Sequence, residues 1–473
     1  MSPDGRRLPN FRLILLAAAI FALPIAAAIF ASPAVRAAPG DSSIAARNPA
    51  GTTVEPSRYV GPGGCAATSC HGSVKPLADT RIFQNEYSIW VVQDKHSRAY
   101  NALTSPIGER IGRILGIGKS EEAPKCLACH ALDVAPEARA KTFDLSDGVS
   151  CESCHGPASA WLGPHTTRGW THAQSVAAGM YDTRDLVQRT EKCLTCHLGT
   201  QEKFVDHEML AAGHPDLYFE LDSFSAVMPR HWKTPRESAP GVPEAGADDP
   251  WFGVRDWATG QAVQLRAALD RVAWRAHGTN WPEFSELQCF SCHHDLTMPE
   301  QSWRQERGYP GRRPGDPPWN ASRYAVFAIL AHEVDGPTAT ELDAQMTQLA
   351  KQMSVLNPDR DAVASTAASA RALADRLVAR IQAQPYDRAL TERLLIEISS
   401  HGEEISGQGE RAAEQAAMAL DSLYIASSRN AQPANAADIR AAINGLFQLL
   451  ENPSAYDPNT FAAQMTKVNA LLR

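Results

Sequence analysis

The sequence predicts a mainly α-helical protein with much irregular structure, built in two parts. A cysteine-bearing N-terminal region is organised around something other than a conventional apolar core, and an α-helical bundle follows it. Three observations carry this. All ten cysteines lie between Cys65 and Cys292 of the 473 residues. The stretch from about Arg58 to Met298 is rich in Gly, Pro, His and Trp, with weak helical or strand periodicity. Beyond it the chain turns Ala-rich and cysteine-free, with apolar residues at helical spacing.

The first 37 residues read as a signal peptide. Arg6, Arg7 and Arg12 precede the apolar run "LILLAAAIFALPIAAAIFA", and "AVRAAPG" supplies small residues for cleavage after Ala37. Pro24 in the run favours cleavage over an uncleaved anchor, so membrane contact is expected only if the segment is retained. The expected location is the periplasm. Removing residues 1–37 takes away four arginines and one aspartate, moving the formal charge from −8 to −11. So acidic a protein favours redox partners with a basic docking face and argues against nucleic acid.

Residues 38–57 form a polar, flexible linker, and 58–300 the cysteine-bearing domain. Within it "KTPRESAPGVPEAGADDP" (233–250) reads as an exposed loop, dense in Pro and Gly. A Pro/Arg-rich linker at 301–320 precedes an α-helical domain at 321–473. There Val363, Ala367, Ala370, Leu377 and Ile381 recur at helical spacing, as do Ile439, Ile443, Leu446 and Leu450. "NP" and "QP" pairs at 357, 384, 432 and 452 punctuate the helices of an antiparallel bundle. Self-association through these helices is open. His332 and His401 read as structural or surface residues.

The ten cysteines fall into five pairs, each closed by a histidine: "CAATSCH" (65–71), "CLACH" (126–130), "CESCH" (151–155), "CLTCH" (193–197) and "CFSCH" (289–293). Histidine makes up only 15 residues, so five such coincidences are not chance. In C-x-x-C-H two thiols add across the haem vinyl groups and the histidine becomes the proximal iron ligand. Zinc ribbons need no histidine beside every second thiol, and a redox dithiol would stand alone. Cys65, Cys70, Cys126, Cys129, Cys151, Cys154, Cys193, Cys196, Cys289 and Cys292 are therefore expected to attach five haem c groups. His71, His130, His155, His197 and His293 are their expected proximal ligands. The four-residue gap between Cys65 and Cys70 is a rarer geometry, for which a disulfide is the alternative. About 240 residues for five haems leave little protein for a core, so the porphyrins must supply much of it.

Distal ligands decide between carrier and enzyme, because a closed iron transfers electrons and an open one binds substrate. His96 has room to turn back after the first motif, His165 lies ten residues after a proximal histidine, and His214 sits between Gly and Pro. These three lead, followed by His231 and His207, then His172 and His277, with His294 last. Met180, Met209 and Met228 read as packing residues rather than sulfur ligands. The tryptophans suit porphyrin faces or ordinary burial alike. Arg304, Arg307, Arg312 and Arg313 are candidate propionate partners or a solvated basic loop.

At "YVGPGGCAATSCHG", "W…KHSRA", "DGVSCESCHGP…H" and "AAGHP" the region from about 59 to 300 resembles multihaem cytochromes c. The type is the tetrahaem one of ammonia oxidisers, the c-554/c-prime-like group. The resemblance implies haems in stacked and perpendicular pairs, mostly with two histidine ligands and sometimes with one five-coordinate iron. It also implies electron acceptance from hydroxylamine oxidoreductase in that group. By position it implies a haem on Cys151, Cys154 and His155, with His96, His165 and His214 as distal ligands. The chain departs from the type in its fifth motif, its expanded first loop and its appended helical domain. The expected function is single-electron relay between respiratory partners. The alternative is a periplasmic reductase or oxidase of a small nitrogen or sulfur compound at a five-coordinate haem. No C-x-x-C-K motif of the ammonia-forming nitrite reductases is present.

Overall fold

The computed structural model describes residues 57–78, 80–234, 237, 249–289, 293, 316–430 and 432–473. The expected signal peptide, most of the loop at 233–250 and most of the linker at 301–320 lie outside these, as do Cys292, His294, Arg304, Arg307, Arg312 and Arg313. The described chain is mainly helical, and its only β-type pairings are isolated bridges, Tyr59 with Arg139 and Leu287 with Trp319. Among the described residues no helix is long and apolar enough to cross a membrane.

The N-terminal part is a succession of short helices. Those used below are α1 (Glu86–Gln93), α2 (Pro124–His130), α3 (Cys151–His155), α4 (Leu186–His197), α5 (His207–Ala211) and α6 (Leu221–Val227). Proline opens α2, where its missing N–H costs nothing, and Asp185 caps α4 by accepting from Gln188 N. The apolar cluster special to this part is small: Leu103, Ala123, Cys126, Leu127 and Ala131.

The large core lies elsewhere and is continuous from Leu194 to Val468. Its axis is α7 (Phe252–Ala276), which packs on α4, α6 and the helices α8 (Ser322–Met353), α9 (Arg360–Ala383) and α11 (Glu410–Asn430). The helices α10 (Arg388–Ser400), α12 (Ala436–Leu449) and α13 (Pro458–Leu472) complete the bundle. Trp257, Phe327, Leu377, Leu394, Leu420 and Phe461 are fully buried within it. Seventeen of the 25 residues of α7 are buried. A helix enclosed on nearly all sides carries no amphipathic stripe, which is why periodicity did not reveal it. So α7, on the N-terminal side of the expected 301–320 boundary, shares one core with the C-terminal helices. Within α8, Asp335 leaves helical geometry two residues before Pro337, which cannot donate to the ladder.

Glu220 caps α6, accepting from Asp222 N (2.9 Å) and Ser223 N (2.7 Å) in a fully buried site. Burial, with the Asp222 charge beside it, pushes its carboxyl up from 4.5 to about 7. A carboxyl whose folded pKa is raised holds its proton longer in the native state. Its contribution is therefore greatest below the unfolded pKa and is lost as pH rises from about 4.5 to about 7. Thermal unfolding at about pH 5 and about pH 8 should show a smaller loss of stability on raising the pH for Glu220→Gln than for the wild type. An equal loss in both would show that Glu220 does not set this dependence.

Candidate haem-binding centre

The motifs sit on helix ends. "CLACH" closes α2, "CESCH" is α3, and "CLTCH" closes α4. Residues i, i+3 and i+4 lie on one helix face, so both thiols and the imidazole are presented together. In the fifth motif His293 N donates to Cys289 O (2.8 Å), the same i+4 bond.

The first motif is built differently. Its two extra residues form a turn in which Cys70 N and Gly72 N donate to Ala67 O, while His71 N donates back to Cys65 O (3.2 Å). A Cβ at Gly72 would fall 1.8 Å from Ala66 O, so only glycine lets this loop close. No disulfide joins Cys65 to Cys70, or any other two of the described cysteines.

Four histidine pairs bring the motifs together with the non-motif histidines. His71 faces His165 with ring centres 6.3 Å apart and planes at 13°. His130 faces His214 at 6.3 Å and 88°, and His197 faces His96 at 6.2 Å and 89°. His293 faces His207 at 6.5 Å and 31°. Each pair has one motif and one non-motif member. A metal between two imidazole nitrogens, each about 2 Å away with the ring centre about 1 Å further on, holds ring centres roughly 6 Å apart. These residues fit an iron coordinated on both axial sides.

Five of these eight rings engage Nδ1, which leaves their Nε2 for a metal. His71 Nδ1 donates to Glu86 Oε2 (2.9 Å), and His96 Nδ1 to Asp94 Oδ1 (3.0 Å). His130, His165 and His214 donate to the carbonyls of Ala99 (2.9 Å), Leu162 (2.5 Å) and Pro215 (2.7 Å). Hydrogen bonds to Glu86 and to Asp94 raise the pKa values of His71 and His96, whereas burial lowers that of His197 to about 4. Phe219 and Phe224 wedge the His197 ring, and Trp161 packs edge-on against His165.

His155 stands apart. Burial lowers its pKa to about 4, and His231 is the largest of the neighbouring charges that add to this. Among the described residues no ring faces His155 at the spacing of the other four pairs. His231 spends Nδ1 on Pro229 O (3.1 Å) and keeps Nε2. Of the weaker candidates, His172 gives Nε2 to Asp182 (2.9 Å) and His277 is exposed at the end of α7. Met209 is buried, as a packing residue would be. His332 bonds Asp343 (2.8 Å), and His401 donates to Glu397 O (2.7 Å).

Attachment cysteines of different motifs are neighbours. Cys151 lies near enough to Cys65, and Cys129 to Cys196, to lower the Cys65 and Cys196 thiols, the latter to about 6. Burial raises Cys154 to about 11 and Cys193 to about 12. Sequence reasoning missed the carboxylates that hold this framework. Glu152, inside the third motif, is 2 % exposed and accepts from Val60 N (2.9 Å), Gly61 N (2.7 Å) and Ala158 N (2.8 Å). Its place between two attachment cysteines was the available signal. Glu86 lies 15 residues from His71, and nothing local marks it. His96 lies against the fourth motif, at His197.

Among the described residues no three or more His, Cys, Asp or Glu side chains gather as a bare-ion site. Residues 65–156, which take in the first three motifs, match the family model for cytochrome c554 and c-prime. No curated protein and no solved structure matches the chain. The family match supports covalently bound haem c and electron transfer as the chemistry of this region, that of a multihaem c-type cytochrome.

Proposed function

We propose that this protein is an exported pentahaem c-type cytochrome that transfers single electrons between respiratory partners in the periplasm. The observation that carries the reading is the set of four ring pairs at 6.2–6.5 Å, each joining a motif histidine to a non-motif one. His71, His130, His197 and His293 act as proximal ligands, and His165, His214, His96 and His207 as their distal partners. His155 is the fifth proximal ligand, with His231 the candidate opposite it. Bound haem supplies a one-electron iron couple. The chain supplies attachment through the ten cysteines, two-sided ligation and a fixed ring orientation. The influence of Cys151 on the Cys65 thiol and of Cys129 on the Cys196 thiol supports closely spaced attachment points. The acidic net charge supports partners with basic docking faces, and the C-terminal helices suit docking or assembly.

Reductive titration of the mature protein tests this. Five electrons taken up per chain, with c-type haem bands, are expected; uptake of four or fewer contradicts the pentahaem reading. A second reading is favoured by His155 alone: reduction or oxidation of a small nitrogen or sulfur compound at the haem it holds.

The carboxylate on His71 gives a further prediction. Glu86 draws the Nδ1 proton of His71 and strengthens the ring as a donor, which favours the oxidised iron. Glu86→Gln should raise the reduction potential of the haem on Cys65 and Cys70, read by spectroelectrochemistry, and leave the other four steps in place. An unchanged set of five steps would show that Glu86 does not tune that site.

A further inference from the structure

A cleft of about 490 Å³, counted with its open mouth, lies between the segments that lead into His207 and Cys289 and the C-terminal helices. Val205, two residues before His207, and Ser285, four before Cys289, form part of its wall, so both ligand segments of the fifth centre frame it. The other side carries three guanidinium groups, Arg271, Arg323 and Arg411.

Their charges are unevenly answered. Arg411 pairs with Asp216 (3.1 Å) and Glu414 (2.7 Å). Arg271 and Arg275 share one carboxylate, that of Glu286, at 2.9 and 2.6 Å. Glu283 is engaged with the backbone N–H groups of His207 (2.9 Å) and Ser285 (3.0 Å). Arg323 is 9 % exposed and makes no ion pair among the described residues. Its Nε has no hydrogen-bond partner, and Nη2 reaches only Leu217 O at 3.3 Å. An enclosed guanidinium with an idle donor is costly unless an anion meets it, and its planar fork suits a carboxylate. Glu286 and Glu283 are the carboxylates that act on Arg275, and Asp216 and Glu286 act on Arg323 from beyond ion-pair distance, so the idle Nε of Arg323 is the donor left to meet a further anion.

We propose that Arg323, with the Arg271–Arg275 pair beside it, holds the propionate carboxylates of the haem attached at Cys289, Cys292 and His293. The C-terminal helical part thereby supplies a binding face for the fifth haem through Arg323 on α8. This assigns the propionate contact to residues other than Arg304, Arg307, Arg312 and Arg313. It rests on the pentahaem reading.

The test uses the full-length holoprotein, with haem content and spectroelectrochemical titration measured together for the wild type, Arg323→Gln and Arg323→Lys. The fifth haem's step is identified as the one missing from the Cys289→Ala/Cys292→Ala chain. In Arg323→Gln that step alone should move to lower potential and acquire a dependence on pH between about 5 and 8, as a released propionate titrates. Arg323→Lys, which keeps the charge, should stay near the wild type. Fewer than five haems in the wild type would defeat the pentahaem reading itself. Five haems with no step displaced in Arg323→Gln would overturn the propionate assignment alone. Stabilisation of the wild type but not of the variant by inorganic phosphate, with the haem steps unmoved, would mark a free-anion site instead and also overturn it. Should Arg323→Gln fail to accumulate, the wild type decides: a fifth step independent of pH in that range supports the contact, and a sloping one rejects it.

Discussion

Substituting His96 by alanine is expected to open one iron, that attached at Cys193 and Cys196, without loss of the haem. Thioether bonds hold the group whatever happens to the sixth ligand, so haem content should stay constant. His197 is wedged by Phe219 and Phe224, with ring centres at 5.4 and 5.2 Å, and is fixed from its own side. Among the described residues His96 is the only histidine whose ring faces it at ligation spacing. The oxidised variant should therefore gain one equivalent of high-spin ferric signal, and the reduced variant should bind one equivalent of carbon monoxide beyond the wild type. His172→Ala is the control. Its Nε2 is committed to Asp182, and its removal should change neither quantity. Unchanged spin state and unchanged carbon monoxide binding in His96→Ala would remove His96 from the ligand set.

Glu286→Gln should give a large loss of stability. Glu286 is 1 % exposed. Burial alone would raise its pKa, but the guanidinium groups of Arg271 and Arg275 outweigh that and hold it below the ordinary value. Breaking a buried pair by neutralising one partner costs about 3–5 kcal/mol, because the remaining charges are left enclosed and unanswered. Here one carboxylate serves two cations, which places the expected loss toward the upper part of that range. The carboxylate joins α7 to the segment entering the fifth motif, and Arg275 continues the connection to Val205 O (2.9 Å), beside His207. The variant should unfold at markedly lower denaturant concentration and lose the haem step of Cys289 and Cys292 first. A change below about 1 kcal/mol, within the range of exposed pairs, would show that the cluster is not structural.

Part of this was legible in the sequence. The five motifs could be read because two thiols followed at once by an imidazole leave a fixed local signature, and the structure sets His96, His165 and His214, the leading non-motif candidates, against motif histidines. His207 and His231 ranked next, and the structure sets His207 against His293 at 6.5 Å. The partners of these histidines were not legible. Which ring meets which is decided by the return of the chain across as many as 101 positions, from His96 to His197, and no local pattern encodes that. The supporting groups were hidden for the same reason. Glu152 binds backbone N–H groups about 90 residues upstream, and Glu286 meets Arg271 across a buried layer. In the C-terminal part the reverse holds. Amphipathic helices such as Arg360–Ala383 announce themselves by period, whereas the helix at the centre, Phe252–Ala276, has polar and apolar residues buried alike and shows none.

The most direct test of the whole account is electron paramagnetic resonance of the oxidised mature protein, with haem quantified in the same sample. Axial imidazole planes fix the iron d-orbital splitting. Near-parallel rings separate two orbitals and give a rhombic low-spin signal, whereas perpendicular rings leave them almost degenerate and give a highly anisotropic one. The ring angles of 88° and 89° predict two haems of the anisotropic kind, and the 13° pair predicts one rhombic haem. Five haems per chain are expected, at least four of them low-spin, with only the haem of His155 free to be high-spin. Fewer than five haems, two or more high-spin equivalents, or no anisotropic low-spin signal would contradict the account.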